Sequence, residues 1–368
     1  MQETQPRYVL RGLDSYSREE LANYWKSFDP LGEDPKILGI GLSCSHVCNL
    51  RCVYCYAGPL SPKADELTVH EQKEIISQAR ALGARMVIVC GDAEPLMDRS
   101  LLPMVKHCHD LDITSVVVTN AIPMGDDRLA LTVHGMDAKS VVNYLRDHGA
   151  SVIAKMDSVH EETYNAIVNV HGSWAKFRLA VDRLVDAGFT AFEERYGVRV
   201  TRLAFSGVVM KQTLIEVPMM RDFAHVRGAQ FICKLPSLVG TALDNLDCMF
   251  PVERYEEIRA ILAQYTEKRE TLMVDTPRCM AWHYGPVIGI NGDIRECYTS
   301  DCKGDQFIGN IRQTSLKELI VKRNRIYDIS TDNFCPVKTR INQELVAQGK
   351  DRLWQVLPEN RCAKMMSY

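Results

Sequence analysis

No stretch of the chain approaches the ~18 uninterrupted apolar residues that a membrane-spanning helix needs. Neither sign of charge dominates: 44 Lys and Arg stand against 47 Asp and Glu, a formal charge of −3 over 368 residues. The first lack argues against membrane insertion. The second removes the positive field by which a protein holds a nucleic-acid backbone. The opening residues, MQETQPRYVLRGLDSYSREE, have neither the basic start nor the apolar core of an export signal. No internal repeat or low-complexity tract is present. With 46% apolar and 25% charged residues the composition is that of a globular protein, long enough for one large domain with or without a smaller one. A cytoplasmic chain without membrane or nucleic-acid partners is the expectation.

Cysteine is what the chain has in excess. Its 13 cysteines are odd in number and come without an export signal, which disfavours a disulfide framework. In a reducing compartment, clustered thiols more often bind metal or do chemistry. Cys44, Cys48, Cys52 and Cys55 fall close together, and Cys279, Cys297, Cys302, Cys335 and Cys362 occupy the last quarter. Cys90, Cys108, Cys233 and Cys248 are scattered between them.

Between the two clusters, short β-branched runs alternate with helical segments. The runs cover 37–42, 86–90, 114–119, 152–156, 198–210 and 230–235. Thr68 with Glu71, Ser158 with Glu161 and Thr213 with Glu216 fit the capping-box spacing of helix starts, and Gly188 marks a helix stop. Strands alternating with helices predict right-handed βαβ units, and six are too few for a closed eightfold barrel. The fold class expected is α/β, a partial TIM-like (β/α)6 barrel with its chemistry at the C-terminal ends of the strands. The predicted division is a helical extension over 1–36, the barrel over 37–250 and a small cysteine-rich domain over 251–368. In the last, Pro251 opens a helix to about residue 268, Asn291-Gly292 turns a hairpin, and a further helix covers 315–324.

Cys48, Cys52 and Cys55 form C-x3-C-x2-C on a loop that leaves the first barrel strand. Three close thiolates can cap three corners of a cubane iron–sulfur cluster and leave one iron open. A zinc knuckle is the alternative, with Cys44 as fourth ligand, although zinc sites favour two separated ligand pairs. The segment Cys48-Asn-Leu-Arg-Cys52-Val-Tyr54-Cys55, with its aromatic before the last cysteine, resembles the radical S-adenosylmethionine (SAM) enzymes. The resemblance implies a [4Fe–4S] cluster whose open iron chelates SAM, reductive cleavage of SAM to a 5′-deoxyadenosyl radical, and hydrogen abstraction from a substrate. It also implies an electron donor such as flavodoxin or ferredoxin.

Later strand ends carry further likenesses. Gly91-Asp92-Ala93-Glu94-Pro95 resembles the family's GGEP motif, which holds the SAM amino group, with Asp92 and Ala93 as departures. Thr119-Asn120 resembles the family's T-N-G, with Ala121 in place of glycine, and faces SAM by that likeness. On the fourth strand, period-two alternation puts Ile153, Lys155 and Asp157 on one face. A lysine within an apolar run is costly to bury without a partner, and the wording is similar to a K-x-D/N-S variant in relatives that act on small molecules. Lys155 and Asp157 are therefore expected at the barrel mouth, with an exposed edge as the alternative. Ser206 on the fifth strand, and Lys211-Gln212 at its end, are further polar candidates. Cys233 and Cys248 are candidate thiols for returning a hydrogen atom to a substrate radical, against the alternative that each is a small core side chain.

Cys279 and Cys297 flank the predicted hairpin, and Ile308-Gly-Asn-Ile311 precedes the last helix. This pattern resembles the SPASM or shorter twitch domains of radical SAM enzymes, which hold auxiliary iron–sulfur clusters. One auxiliary [4Fe–4S] cluster on Cys279, Cys297, Cys335 and either Cys302 or Cys362 is expected, with structural zinc as the alternative. The resulting function is an oxidoreductase or epimerase acting on a polar small molecule: a sugar, aminocyclitol or nucleoside. A radical SAM maturase of a ribosomal peptide is the second reading. Only 36 residues precede the first barrel strand, short for the leader-binding domain that many such maturases carry. A non-catalytic iron–sulfur or zinc scaffold is the third.

Overall fold

The alternation of apolar runs with helical segments becomes one curved sheet. The computed structural model describes residues 7–12, 17–27, 29, 32–57, 65–195, 198–237, 240–266, 285–295, 308–326 and 347. Strand β1 (Tyr8–Leu10) and helix α1 (Arg18–Ser27) come first, so the segment expected to be helical contains a strand as well. The barrel strands begin with β2 (Gly39–Leu42), β3 (Met86–Val89), β4 (Thr114–Thr119) and β5 (Ser151–Lys155). The run at 198–210 divides: β6 (Glu193–Arg195) and β7 (Val198–Thr201) join β1 in a small sheet, and β8 (Leu203–Val208) continues the barrel with β9 (Gln230–Lys234).

Neighbours β2, β3, β4, β5, β8 and β9 pair in parallel and in that order. This is the geometry of a partial, TIM-like (β/α)6 barrel. Crossovers between them include helices α2 (Val69–Ala81), α3 (Leu101–Asp110), α4 (Asp127–His134), α5 (Ala138–Asp147), α6 (Glu161–Val168), α7 (Ser173–Asp186) and α8 (Val217–His225). Alternation sorts the strand side chains. Val87, Val117, Val152, Phe205 and Phe231 join helix residues such as Ile76, Val105, Leu145 and Phe177 in the main core. Met86, Val116, Ala204 and Ile232 form a second, smaller core with Leu10. These four share the inward parity of their strands, so Leu10 plugs the N-terminal end of the barrel. The Leu10 N–H donates to Gln230 Oε1 at 2.9 Å, which fixes the plug to β9.

Local signals are realised where nothing distant competes. Thr68 and Glu71 form a reciprocal capping box on α2, and Gly188 follows α7 with φ +84°. Ser158 instead donates to Glu216 Oε2 at 2.6 Å, 58 residues on, and α6 starts without a side-chain cap. Glu216 is thereby drawn away from Thr213, which lies in a 3-10 turn (Lys211–Glu216) before α8. After Pro251 comes a short 3-10 turn, and α9 spans only Tyr255–Leu262.

The hairpin at Asn291-Gly292 is present as β10 (Val287–Ile288) and β11 (Ile294–Arg295), with Gly292 at φ +89°. It belongs to the barrel's own sheet, because β10 pairs in parallel with β2. The Ile308–Ile311 phrase lies along it: Ile294 N–H donates to the Gly309 carbonyl, and Asn310 Nδ2 to Asp293 Oδ1. The helix Leu316–Ile326 follows, its Ser315 and Glu318 capping one another.

Candidate active site

Five of the six parallel barrel strands end on or run directly into polar groups, and β8 alone ends on an apolar residue, Val208. The Cys48–Cys55 loop follows β2, Gly91–Pro95 follows β3, Asn120 follows β4, Lys155 and Asp157 end β5, and Lys234 ends β9. The cysteine loop is held from several sides. Arg51 and Val53 N–H groups donate to the Val168 and Ile167 carbonyls at the end of α6, both at 3.0 Å. Arg51 Nη1 donates to the Cys48 and Leu50 carbonyls, and Asn120 Nδ2 to Asn49 Oδ1 at 2.9 Å. The Cys55 carbonyl accepts from Thr241 N–H at 2.8 Å.

Cys48, Cys52 and Cys55 are half-buried free thiols. Burial, then the nearby Glu94, pushes Cys48 up to about 11. Burial, then Asp157, pushes Cys52 well above the usual thiol range, with Cys48 and Cys55 adding to it. The trio cannot ionise together without a cationic group to neutralise it, which is the condition an iron cluster meets. Among the described residues no three His, Cys, Asp or Glu side chains are grouped to hold a single metal ion. A cubane places each thiolate on its own iron and does not ask for that grouping. Cys44, the fourth ligand of the zinc alternative, is buried against Asp98, Glu94 and Cys90.

Beside the trio the backbone is closely packed. Gly91 has φ +147°, and a Cβ there would lie 2.1 Å from Ser43 Oγ, so only glycine passes. Ser43 Oγ is itself buried without a hydrogen-bond partner among the described residues. An unused, buried polar atom, Ser43 Oγ, thus lies beside Gly91 at the start of the SAM-type motif. Tyr56 OH braces the other side by donating to the Gly91 carbonyl at 2.6 Å.

Within that motif the side chains are committed to the protein. Glu94 is buried and its carboxylate accepts from Leu96 N–H (3.0 Å), Asn120 N–H (2.7 Å) and the Thr119 hydroxyl. Burial nevertheless raises it to about 7, against the lowering by those bonds. It staples the β3 end to the β4 end. Pro95 opens a 3-10 turn that Glu94 caps. Asp92 is paired with Arg295 of β11. Ala121 stands at φ +66°, the left-handed conformation that explains glycine as the usual residue there.

Lys155 and Asp157 both reach the mouth. Asp157 is buried and accepts from Val208 N–H at 2.8 Å and from Tyr54 OH. Lys155 Nζ lies 3.6 Å from Asp157 Oδ1, beyond hydrogen-bond range, and 5.7 Å from the centre of the Tyr54 ring. Ser206 sits in register with Lys155. Lys234, Tyr56 and Arg295 escaped the sequence reading. Lys234 shares the inward parity of Ile232, the same alternation that singled out Lys155.

One of the two thiols expected to face the substrate, Cys233, is elsewhere. Cys233 has the outward parity of Phe231, and its Sγ lies 3.0 Å from Thr266 Oγ1 and 3.6 Å from the Leu262 carbonyl, behind the sheet. Its placement answers to the core-residue alternative. Cys248 sits half-buried in a 3-10 turn (Leu246–Cys248) packed against the main core. Lys211 Nζ donates to the Asp247 carbonyl, tying that turn to the end of β8. Cys279, Cys297, Cys302, Cys335 and Cys362 lie outside the described residues.

Comparison with known proteins agrees with this geometry. Residues 42–201 match the model of the Radical SAM superfamily. The GTP 3′,8-cyclase of Caulobacter vibrioides is 26% identical over 190 residues, covering 51% of this chain and 48% of that protein. The PqqA peptide cyclase of Bradyrhizobium diazoefficiens is 32% identical over 95 residues, 25% of this chain and 24% of that one. The chain thus spans at most about half the length of these two relatives. The fold is shared with Streptococcus suis SuiB bound to S-adenosylmethionine: TM-score 0.58, 15% identity, 82% of this chain and 68% of SuiB. No helix among the described residues is long and apolar enough to cross a membrane. The cysteine loop and the motif behind β3 both lie within the matched residues, so residues 42–201 form a radical SAM superfamily domain, whose cofactors are a [4Fe–4S] cluster and SAM.

Proposed function

We propose that the enzyme abstracts a hydrogen atom from a polar small molecule (a sugar, an aminocyclitol or a nucleoside). The substrate radical would then either give an electron to an auxiliary cluster and lose a proton, completing dehydrogenation, or take a hydrogen atom from a thiol on its opposite face, completing epimerisation. When bound, the cluster supplies the electron that splits SAM into methionine and the 5′-deoxyadenosyl radical that takes the hydrogen atom. One observation carries the choice of substrate: the inner face of the barrel changes from apolar to polar along β5, β8 and β9. Met86, Val116, Ala204 and Ile232 fill the closed end, and Lys155, Ser206 and Lys234 stand at the open one. Polar groups left there are satisfied by a substrate that brings its own hydrogen-bonding groups.

The chain's other residues act on position. Cys48, Cys52 and Cys55 would hold the cluster, and the backbone beyond β3 would accept from the SAM ammonium. Glu94, through Thr119 and Asn120, keeps the ends of β3 and β4 at a fixed spacing. Asp157 orients the Tyr54 hydroxyl, next to Cys55 in the loop. A small iron–sulfur or flavin protein, ferredoxin or flavodoxin, is the proposed electron donor, and the C-terminal cysteines the ligands of an auxiliary cluster.

Similarity to GTP 3′,8-cyclases, proteins named for work on a nucleotide, supports a small molecule. Similarity to a PqqA peptide cyclase supports the second reading, a peptide, over a shorter segment. The test is anaerobic reconstitution with iron and sulfide, then SAM and dithionite, with 5′-deoxyadenosine measured. Panels of deuterated sugars, nucleosides and peptides follow, scored for deuterium in 5′-deoxyadenosine. Transfer from a peptide alone would replace the small-molecule reading, and no SAM cleavage would defeat both.

A further inference from the structure

Arg312 follows the Ile308–Ile311 phrase, and the hairpin sets its place. Asn310 Nδ2 donates to the Asn291 carbonyl and to Asp293 Oδ1, both at 2.9 Å, and Asn310 Oδ1 accepts from Arg312 N–H at 2.9 Å. From there the guanidinium reaches the residues that lead into α2. Nη1 donates to the Asp65 carbonyl at 2.9 Å and Nη2 to the Glu66 carbonyl at 3.0 Å, while Nε and Nη2 take the two carboxylate oxygens of Glu71. Leu67 N–H donates to the Ile290 carbonyl at 2.7 Å, so the hairpin backbone holds the next residue as well. The clasped residues turn back toward the metal loop. Glu66 Oε1 lies 2.9 Å from Nδ1 of His46, which is buried two positions before Cys48. The end of that loop rests on the Ile167 and Val168 carbonyls and on Thr241, and its start on Glu94, whose N–H donates to the Val47 carbonyl at 3.2 Å, and on Glu66.

A loop without regular secondary structure must be ordered before three thiolates can meet one cluster, and whatever freedom it keeps is lost on binding. We propose that Arg312 is a positioning residue for the SAM-binding cluster: by fixing Asp65 and Glu66 to the C-terminal hairpin it lets Glu66 hold His46, which sets the start of the cysteine loop. This rests on Cys48, Cys52 and Cys55 holding the cluster, and it makes the metal site depend on residues beyond the matched segment 42–201. The pair with Glu71 is not the reason for an arginine here, since both side chains are about a third exposed and a lysine could also pair with that carboxylate. Only the planar fork of a guanidinium serves the carboxylate and two carbonyls together.

The test has two readouts on the full chain. In the metal-free protein, hydrogen–deuterium exchange is followed by mass spectrometry for peptides covering 44–55. In the reconstituted protein, decay of the SAM-responsive EPR signal is followed after adding a ferrous chelator, because only a cluster with an open iron responds to SAM. Arg312→Met should speed both about tenfold, the scale of losing an outer partner of a metal site. His46→Phe should do the same, and the double variant should stay within about twofold of either, since both act through one connection. Arg312→Lys should remain faster than the parent in both, as it keeps the charge and loses the fork. Exchange in β4 and β8 should be unchanged, which separates loss of the clasp from loss of the fold. If Arg312→Met exchanges throughout the chain, Arg312→Lys carries the test. Parent-like exchange and decay in the Arg312 variants, or effects of Arg312→Met and His46→Phe that multiply, would overturn the proposal. A parent without any SAM-responsive cluster defeats the radical reading, and exchange in the metal-free chain then decides the clasp alone.

Discussion

Arg295 holds Asp92 through two parallel hydrogen bonds, Nη1 to Oδ1 and Nη2 to Oδ2, each 2.7 Å. The partners are 203 residues apart, and both side chains are mostly buried. Gly289 makes room for the guanidinium, since a Cβ there would lie 2.8 Å from Arg295 Nε. The pair ties the C-terminal hairpin to the segment behind β3. It also gives a reason for Asp92, the position where the chain departs from the GGEP pattern.

Breaking this pair should cost more than an exposed ion pair, because either partner alone is left largely buried and charged. Arg295→Ala should lower unfolding stability by about 2 kcal/mol. Arg295→Lys should recover only part of it, because an ammonium cannot reproduce the two-pronged geometry. Urea denaturation of both single variants and of the double variant with Asp92→Asn measures the coupling. A value within about 0.3 kcal/mol of zero would show the pair to be idle.

Cys233 invites a second comparison. From its place behind β9, Cys233→Ala should cost about 1 kcal/mol through a small cavity and the lost contact with Thr266. Yield and stereochemistry of the product should be unchanged. Chiral analysis of product formed in deuterium oxide checks this: loss of solvent hydrogen at the reacting carbon in Cys233→Ala would put the thiol in the chamber after all.

What was legible beforehand was local or periodic. The strands, the Thr68–Glu71 cap, the Asn291-Gly292 hairpin and the inward side of Lys155 each follow from a few neighbouring residues. Cys233 was readable by the same alternation, since Ile232 and Lys234 take the other face, but only once β9 is known to have one side in the lumen. Distant partners were not readable. Ser158 fits a cap by spacing and is diverted by Glu216. The joining of β10 to β2, on which Arg295 depends, is a pairing between segments more than 200 residues apart.

Iron content tests the cysteine assignment. The reconstituted parent should bind about eight irons per chain if an auxiliary cubane is present, and about four if it is not. Cys48→Ala, Cys52→Ala and Cys55→Ala should each remove about four irons and abolish SAM cleavage. Cys44→Ala should leave the iron count unchanged and lower only stability, because its thiol is packed in the core. Equal iron loss from Cys44→Ala would return the loop to a four-ligand site.

Glu94 sets the pH dependence expected of the metal-free chain. Burial raises its folded-state value to about 7, above the ordinary 4.5. A carboxyl raised on folding keeps its proton in the folded state over a range where the unfolded chain has lost it. Stability from this group is therefore fully present below about 4.5 and falls as pH rises through about 7. The whole effect is on the order of 3 kcal/mol. Glu94→Gln removes the titration and should flatten the profile between those values, although it gives up a charged acceptor for Asn120 N–H and the Thr119 hydroxyl. Denaturant midpoints at intervals across that range, for parent and variant, provide the measurement. Equal slopes in the two proteins would mean that Glu94 is ionised throughout, its three hydrogen bonds outweighing its burial.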